Sequence, residues 1–135
     1  MAAYKQYIPC DIYKRGVTVF LGSYDELLKY VKEIYIDKDD DDDIEFYNRM
    51  KNLRGGAADF HAGDGYIIVR LPKFPETPDE IADAEHELLH ATFWMLDYCG
   101  VQESSPYEAH TYLLSWLTLN ALTKDKYEEI SYEEK

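Results

Sequence analysis

Between Gly16 and Gly22 the residues Val17, Thr18, Val19, Phe20 and Leu21 form a β-branched, apolar run, and this pattern predicts a buried strand. The period then changes. Leu27, Leu28, Val31 and Ile34 recur at helical spacing behind Ser23, and Glu26 stands three residues after that serine, so a capped helix follows the strand. Asp37 through Asp43 is broken only by Lys38, and the mutual repulsion of like charges predicts a solvated, mobile acidic loop over residues 37–45. The run lacks the spaced ligands and the glycine of a calcium loop. Phe46 through Leu53 predicts a short helix closed by Gly55 and Gly56. Ala57–Ala62 and Tyr66–Leu71 then read as strands joined by a Gly-Asp-Gly turn, the second stopping at Pro72.

Thr77-Pro78-Asp79-Glu80 combines a capping threonine, a first-turn proline and a returning glutamate, which predicts a helix start. That helix should run to Cys99 and stop at Gly100. From Leu88 to Leu96 it is apolar nearly all round, so its middle is expected in the interior. Ser105-Pro106-Tyr107-Glu108 repeats the opening, and Leu113, Leu114, Leu117, Ala121 and Leu122 mark a second buried helix up to about Lys124. The short connection between the two favours antiparallel neighbours. Residues 126–135 are charged and are expected to fray. The pattern amounts to one α+β domain over residues 1–135, with three main helices around a small sheet.

Composition narrows the function. A chain of 135 residues with 46% hydrophobic positions holds one sizeable core. Its formal charge of −13 argues against binding phosphate backbones or anionic membranes, both of which select lysine and arginine. The first residues contain no apolar leader segment, and no stretch approaches the roughly 18 apolar residues of a membrane span, so a cytoplasmic location is expected. Cys10 and Cys99 are expected to be reduced.

The chemistry lies in the long helix, where His86-Glu87-Leu88-Leu89-His90 spells HExxH. Residues four apart share a helix face, so the two imidazoles can converge on one point, with Glu87 beside them. Two histidines in that register suit a zinc ion, and the adjacent glutamate suits a base for the water the ion activates. A shuffled chain of this composition would contain the motif with a probability of roughly one in a hundred. A catalytic zinc needs a third protein ligand. Glu108 at the start of the next helix is the first candidate, although it is also the third-position glutamate of the Ser105 capping box. His110 is the competitor; two positions on, it lies on a different face. Asp83 and Asp97 are candidate partners for the outer imidazole nitrogens. Tyr112, one turn after Glu108, is a candidate for stabilising a developing oxyanion. His61 reads as an ordinary strand histidine or a contributor from the substrate side.

His86-Glu87-Leu88-Leu89-His90-Ala91, the helix end Leu96-Asp97-Tyr98-Cys99-Gly100-Val101, and Glu108-Ala109 with Tyr112-Leu113 together resemble the small zincin-like metallopeptidases of phages and bacteria, related to the ImmA/IrrE type. The likeness covers about residues 57–122. It implies a zincin-like minimal domain, a zinc ion held by His86, His90 and Glu108, and a sheet edge that receives an extended peptide.

The expected activity is therefore zinc-dependent hydrolysis of a peptide bond in a peptide or protein substrate, with Glu87 as general base, Tyr112 as a further catalytic group and Tyr66–Leu71 as the strand that aligns the substrate. Two alternatives stand beside it: a non-catalytic protein that keeps the zincin fold to bind metal or a partner, and an acidic antagonist that binds a basic protein through Asp37–Asp43.

Overall fold

The computed structural model describes residues 2–53, 56–63, 66–102 and 107–131. Five strands form one sheet in the order β3-β4-β2-β1-β5. β1 (Tyr4–Cys10) and β2 (Arg15–Leu21) pair antiparallel across a single 3-10 turn at Asp11–Tyr13, after which Lys14 turns the chain with φ 56°. β3 (Asp59–Gly63) and β4 (Tyr66–Leu71) form the expected hairpin, and β4 lies parallel to β2 with Val19 opposite Val69. β4 thus has a neighbour on each side. This overturns its expected role as the substrate-aligning strand, because its backbone groups are already committed to β2 and β3. Among the described residues the free edge on that side belongs to β3.

Helices cover both faces. α1 (Tyr24–Tyr30) starts with the capping box of Ser23 and Glu26 and continues into a π-helical turn at Val31–Tyr35. Together with α2 (Asp41–Lys51) it covers Phe20 and Ile68 through Leu27, Tyr30, Val31, Phe46 and Met50. The opposite face, with Val19, Ile67, Val69 and Leu71, packs on α3 (Pro78–Tyr98) and α4 (Glu108–Ala121). Strand alternation decides which residue meets which layer, so Ile67 and Ile68 go to opposite sides. A strand with neighbours on both edges and helices on both faces buries nearly everything, and that explains the continuous apolar run of β4. Among the described residues there are four α-helices: the three main ones that the pattern predicts, and α2, which takes in most of the expected short helix and starts earlier, at Asp41.

α2 corrects the acidic loop. Asp40 accepts hydrogen bonds from the backbone N–H groups of Asp42 (2.9 Å) and Asp43 (3.2 Å), and Asp41, Asp42 and Asp43 fill the first turn. Carboxylates there meet the unpaired N–H groups and the positive end of the helix dipole, an attraction that outweighs their mutual repulsion. Asp43 is buried and accepts from the Asp37 N–H at 2.9 Å.

α3 begins and ends as its residues predict. The Thr77 and Glu80 capping box is complete. At the other end Gly100 has φ 76°, Val101 N–H donates to Leu96 O at 2.8 Å, and Gly100 N–H donates to Asp97 O at 3.0 Å, a pairing that closes a helix through a left-handed glycine. Its buried stripe is Ala84, Leu88, Ala91, Thr92, Met95 and Leu96.

α4 departs from expectation at its start. Glu108 is its first residue rather than its third, behind Tyr107 at φ 62°, so Glu108 does not stand where a Ser105 capping box would need it; Ser105 itself lies outside the described residues. The C-terminal segment is tied down as far as it is described. Tyr127 Oη donates to Ala121 O at 2.7 Å, β5 (Glu128–Glu129) pairs with β1, and Ile130 N–H donates to Ala3 O at 2.9 Å, which corrects the frayed tail over residues 126–130. Among the described residues no helix is long and apolar enough to cross a membrane. Both cysteines are free; burial, aided by Asp11, raises the Cys10 thiol to about 11.

Candidate metal centre

The HExxH face of α3 looks outward, opposite the stripe that packs on the sheet. His86 and His90 are exposed, so the expected interior placement is corrected. The misleading residues are Leu89 and Phe93, apolar yet 41% and 40% exposed beside them. The two rings stand edge to face, with Nε2 of His86 and Nε2 of His90 3.2 Å apart. Two nitrogens each about 2.0–2.1 Å from one tetrahedral zinc ion lie about 3.3–3.4 Å apart. The separation of the two imidazoles, set by one turn of helix, therefore matches that between two corners of such a site.

One ring packs against this face, and one carboxyl stands beside it. Phe60 of β3 stacks on His90 with ring centres 5.8 Å apart and planes at 23°. Glu87 is partly buried, and burial pushes its carboxyl above the usual carboxylate range; His86 and His90 pull it down, and the negative charges of Asp59 and Asp83 push it further up. A carboxyl raised in this way is a better proton acceptor near neutral pH than an ordinary surface glutamate.

Beside His90 a cavity of about 420 Å³ opens between α3 and α4, lined by Phe60, Phe93, Trp94, Asp97 and His110 among others. His110 is buried, its ring 4.9 Å from Phe93 and 5.8 Å from Tyr107. α4 buries His110, Leu113, Leu117 and Ala121, so residues two positions before and after His110 face away from that stripe. Glu108 and Tyr112 consequently share a face, as expected, but an outward one. Tyr112 is 72% exposed and lines a different groove, against Ile12 and Tyr13. Among the described residues no group of three metal-capable side chains forms, so the structure does not bring Glu108 to the histidine pair. It also leaves Tyr112 away from it.

Comparison with family models, with curated proteins and with solved structures finds no match. The geometry of the chain therefore carries the functional reading.

Asp97 lies on the cavity wall with His90, and Asp83 is exposed one turn before Glu87. The sequence patterns did not single out Asp59, Phe60, Phe93 or Trp94. The alternation of β3 could have indicated Phe60, since it must point to the face opposite His61, where α3 packs.

His61 sits on the α1 and α2 side of the sheet, 7% exposed, 5.7 Å from the Tyr24 ring, with Nε2 lacking a hydrogen-bond partner among the described residues. Burial holds its pKa below the ordinary histidine value, with Asp59 opposing and Arg70 assisting. Below about pH 6.5 the unfolded chain takes up a proton that the folded protein refuses, so stability falls as the pH drops through that value. We expect unfolding in urea between about pH 7.5 and about pH 5.5 to show a steeper loss in the wild type than in His61→Leu, by at most about 1.4 kcal/mol per pH unit. Parallel pH profiles for the two proteins would contradict this.

Proposed function

We propose that the protein is a zinc-dependent metallopeptidase whose metal is held by His86 and His90. The observation that carries the reading is the 3.2 Å approach of the two Nε2 atoms on an exposed helix face, with Glu87 between them in sequence. Zinc bound there would supply Lewis acidity and bring the pKa of a water toward neutrality. Glu87 would take the proton of the attacking water and return it to the leaving amine. We assign the third ligand to Glu108, on the first turn of α4. Glu108 faces outward in the folded helix, so its approach would require the first turn of α4 to unwind, and Tyr107 just before it holds a left-handed backbone (φ 62°), a strained conformation for a residue with a side chain. The substrate would lie extended along β3, the exposed edge beside His90, and pair with its free backbone groups.

The test is cleavage of a peptide mixture by zinc-loaded protein, read by mass spectrometry. The reading expects cleavage that stops on chelation and returns with zinc; products that form equally with and without chelator contradict it. The lack, among the described residues, of a third metal-capable group beside the pair favours, as second reading, a protein of the same fold that binds metal without turnover. The acidic antagonist loses ground, because Asp37, Asp40 and Asp43 are engaged in capping and bracing α2.

A further inference from the structure

α4 carries a second feature unconnected with the histidine pair. Beyond Glu108 this helix has no Asp, Glu, Lys or Arg, in a chain with 27 acidic residues and 14 lysines and arginines, and its one histidine, His110, is buried on the opposite side. On its outward face Tyr112, Trp116 and Leu119 are 72%, 43% and 64% exposed, at helical spacing that forms one ridge. A groove runs along each flank. One, of about 370 Å³, is lined by Pro9, Ile12 and Leu113 with Tyr112 and Trp116, and Asp11 stands on its wall; the other, of about 530 Å³, is lined by Leu114, Leu119 and Leu122 together with Thr118 and Glu85. Ile12, at the tip of the β1–β2 turn, is 84% exposed and extends the apolar surface.

We propose that this face is the interface of a homodimer, and that its occupant is α4 of a second copy. Charge selects that occupant. A basic partner would settle on the acidic remainder of the surface, whereas an uncharged apolar ridge favours an uncharged apolar counterpart, such as the same face of another chain. Shape agrees. A two-fold axis passing beside Ser115 and Trp116 places Tyr112 of each copy against Leu119 of the other, and each ridge then enters a groove of its neighbour. The charge of −13 on each chain opposes the approach at long range, so the dimer should tighten as salt rises, the reverse of an interface held by ion pairs.

The test is sedimentation velocity at about 0.15 M and about 1 M sodium chloride, over which the screening length falls from about 8 to about 3 Å. The expected result is a wild type that sediments with the mass of two chains, with a dissociation constant several-fold tighter at the higher salt. Leu119→Glu and Tyr112→Glu, both highly exposed positions, should be monomeric at the same concentrations with unchanged circular dichroism. A wild type that stays monomeric at both salt concentrations, or a dimer that survives both substitutions or weakens with salt, overturns the proposal.

Discussion

Replacing Glu87 by glutamine should lower kcat for peptide hydrolysis by about two to four orders of magnitude, the range typical of removing a positioned general base. The amide keeps the size of the side chain and its capacity to hydrogen-bond, but it accepts no proton. Zinc uptake should be unchanged, because Glu87 is not among the assigned ligands. Steady-state rates of the two proteins at matched zinc content decide the matter. A Glu87→Gln enzyme as fast as wild type would remove the glutamate from the chemistry, whereas a wild type that holds zinc without cleaving anything would favour the non-catalytic reading.

The second large effect lies below the site. Arg70 is 3% exposed within β4, on the face away from α3. Its Nε donates to Asp59 Oδ2 at 2.6 Å, one terminal nitrogen donates to Gly22 O at 2.9 Å, and the other donates to Gly56 O at 2.6 Å. One side chain thereby joins the end of β2, the entry to β3 and the carboxylate that influences Glu87. Arg70→Ala leaves Asp59 without its cation and two carbonyls without donors, and should cost about 3–5 kcal/mol in urea unfolding. Because Phe60 follows Asp59, the stacking on His90 should loosen too. Removing both charges in Asp59→Asn with Arg70→Met should cost clearly less than Arg70→Ala alone, since no unpaired buried charge remains. A loss below about 1 kcal/mol for Arg70→Ala would show that the network does not hold the start of β3.

What could be read from the sequence was what depends on short-range chemistry. The Thr77 and Ser23 capping boxes, the stop at Gly100, the β3–β4 hairpin and the i, i+4 convergence of His86 and His90 each follow from residues within one or two turns of each other. What depends on distant partners was not legible. β1 reads weakly because its inner side carries Gln6 and an exposed Tyr4 beside Ile8 and Cys10, while Tyr7 faces out, and β5 is two exposed glutamates held chiefly by backbone pairing. The start of α2 was obscured because a run of aspartates suggests repulsion until a helix N-terminus is there to receive it. The place of Glu108 depends on the rotation of α4, which is set by the burial of His110 and Leu113 rather than by anything near Glu108 in sequence.

The central claim is that His86 and His90 hold a metal, and the direct measurement is zinc bound per chain. Protein prepared without a histidine tag would be titrated with zinc against a competing chelator, beside His86→Ala and His90→Ala. The account predicts about one zinc per wild-type chain and a loss of that uptake in each variant, with circular dichroism unchanged because both side chains are exposed. Wild-type protein that takes up no zinc, or variants that bind it as well as the wild type, would contradict the account.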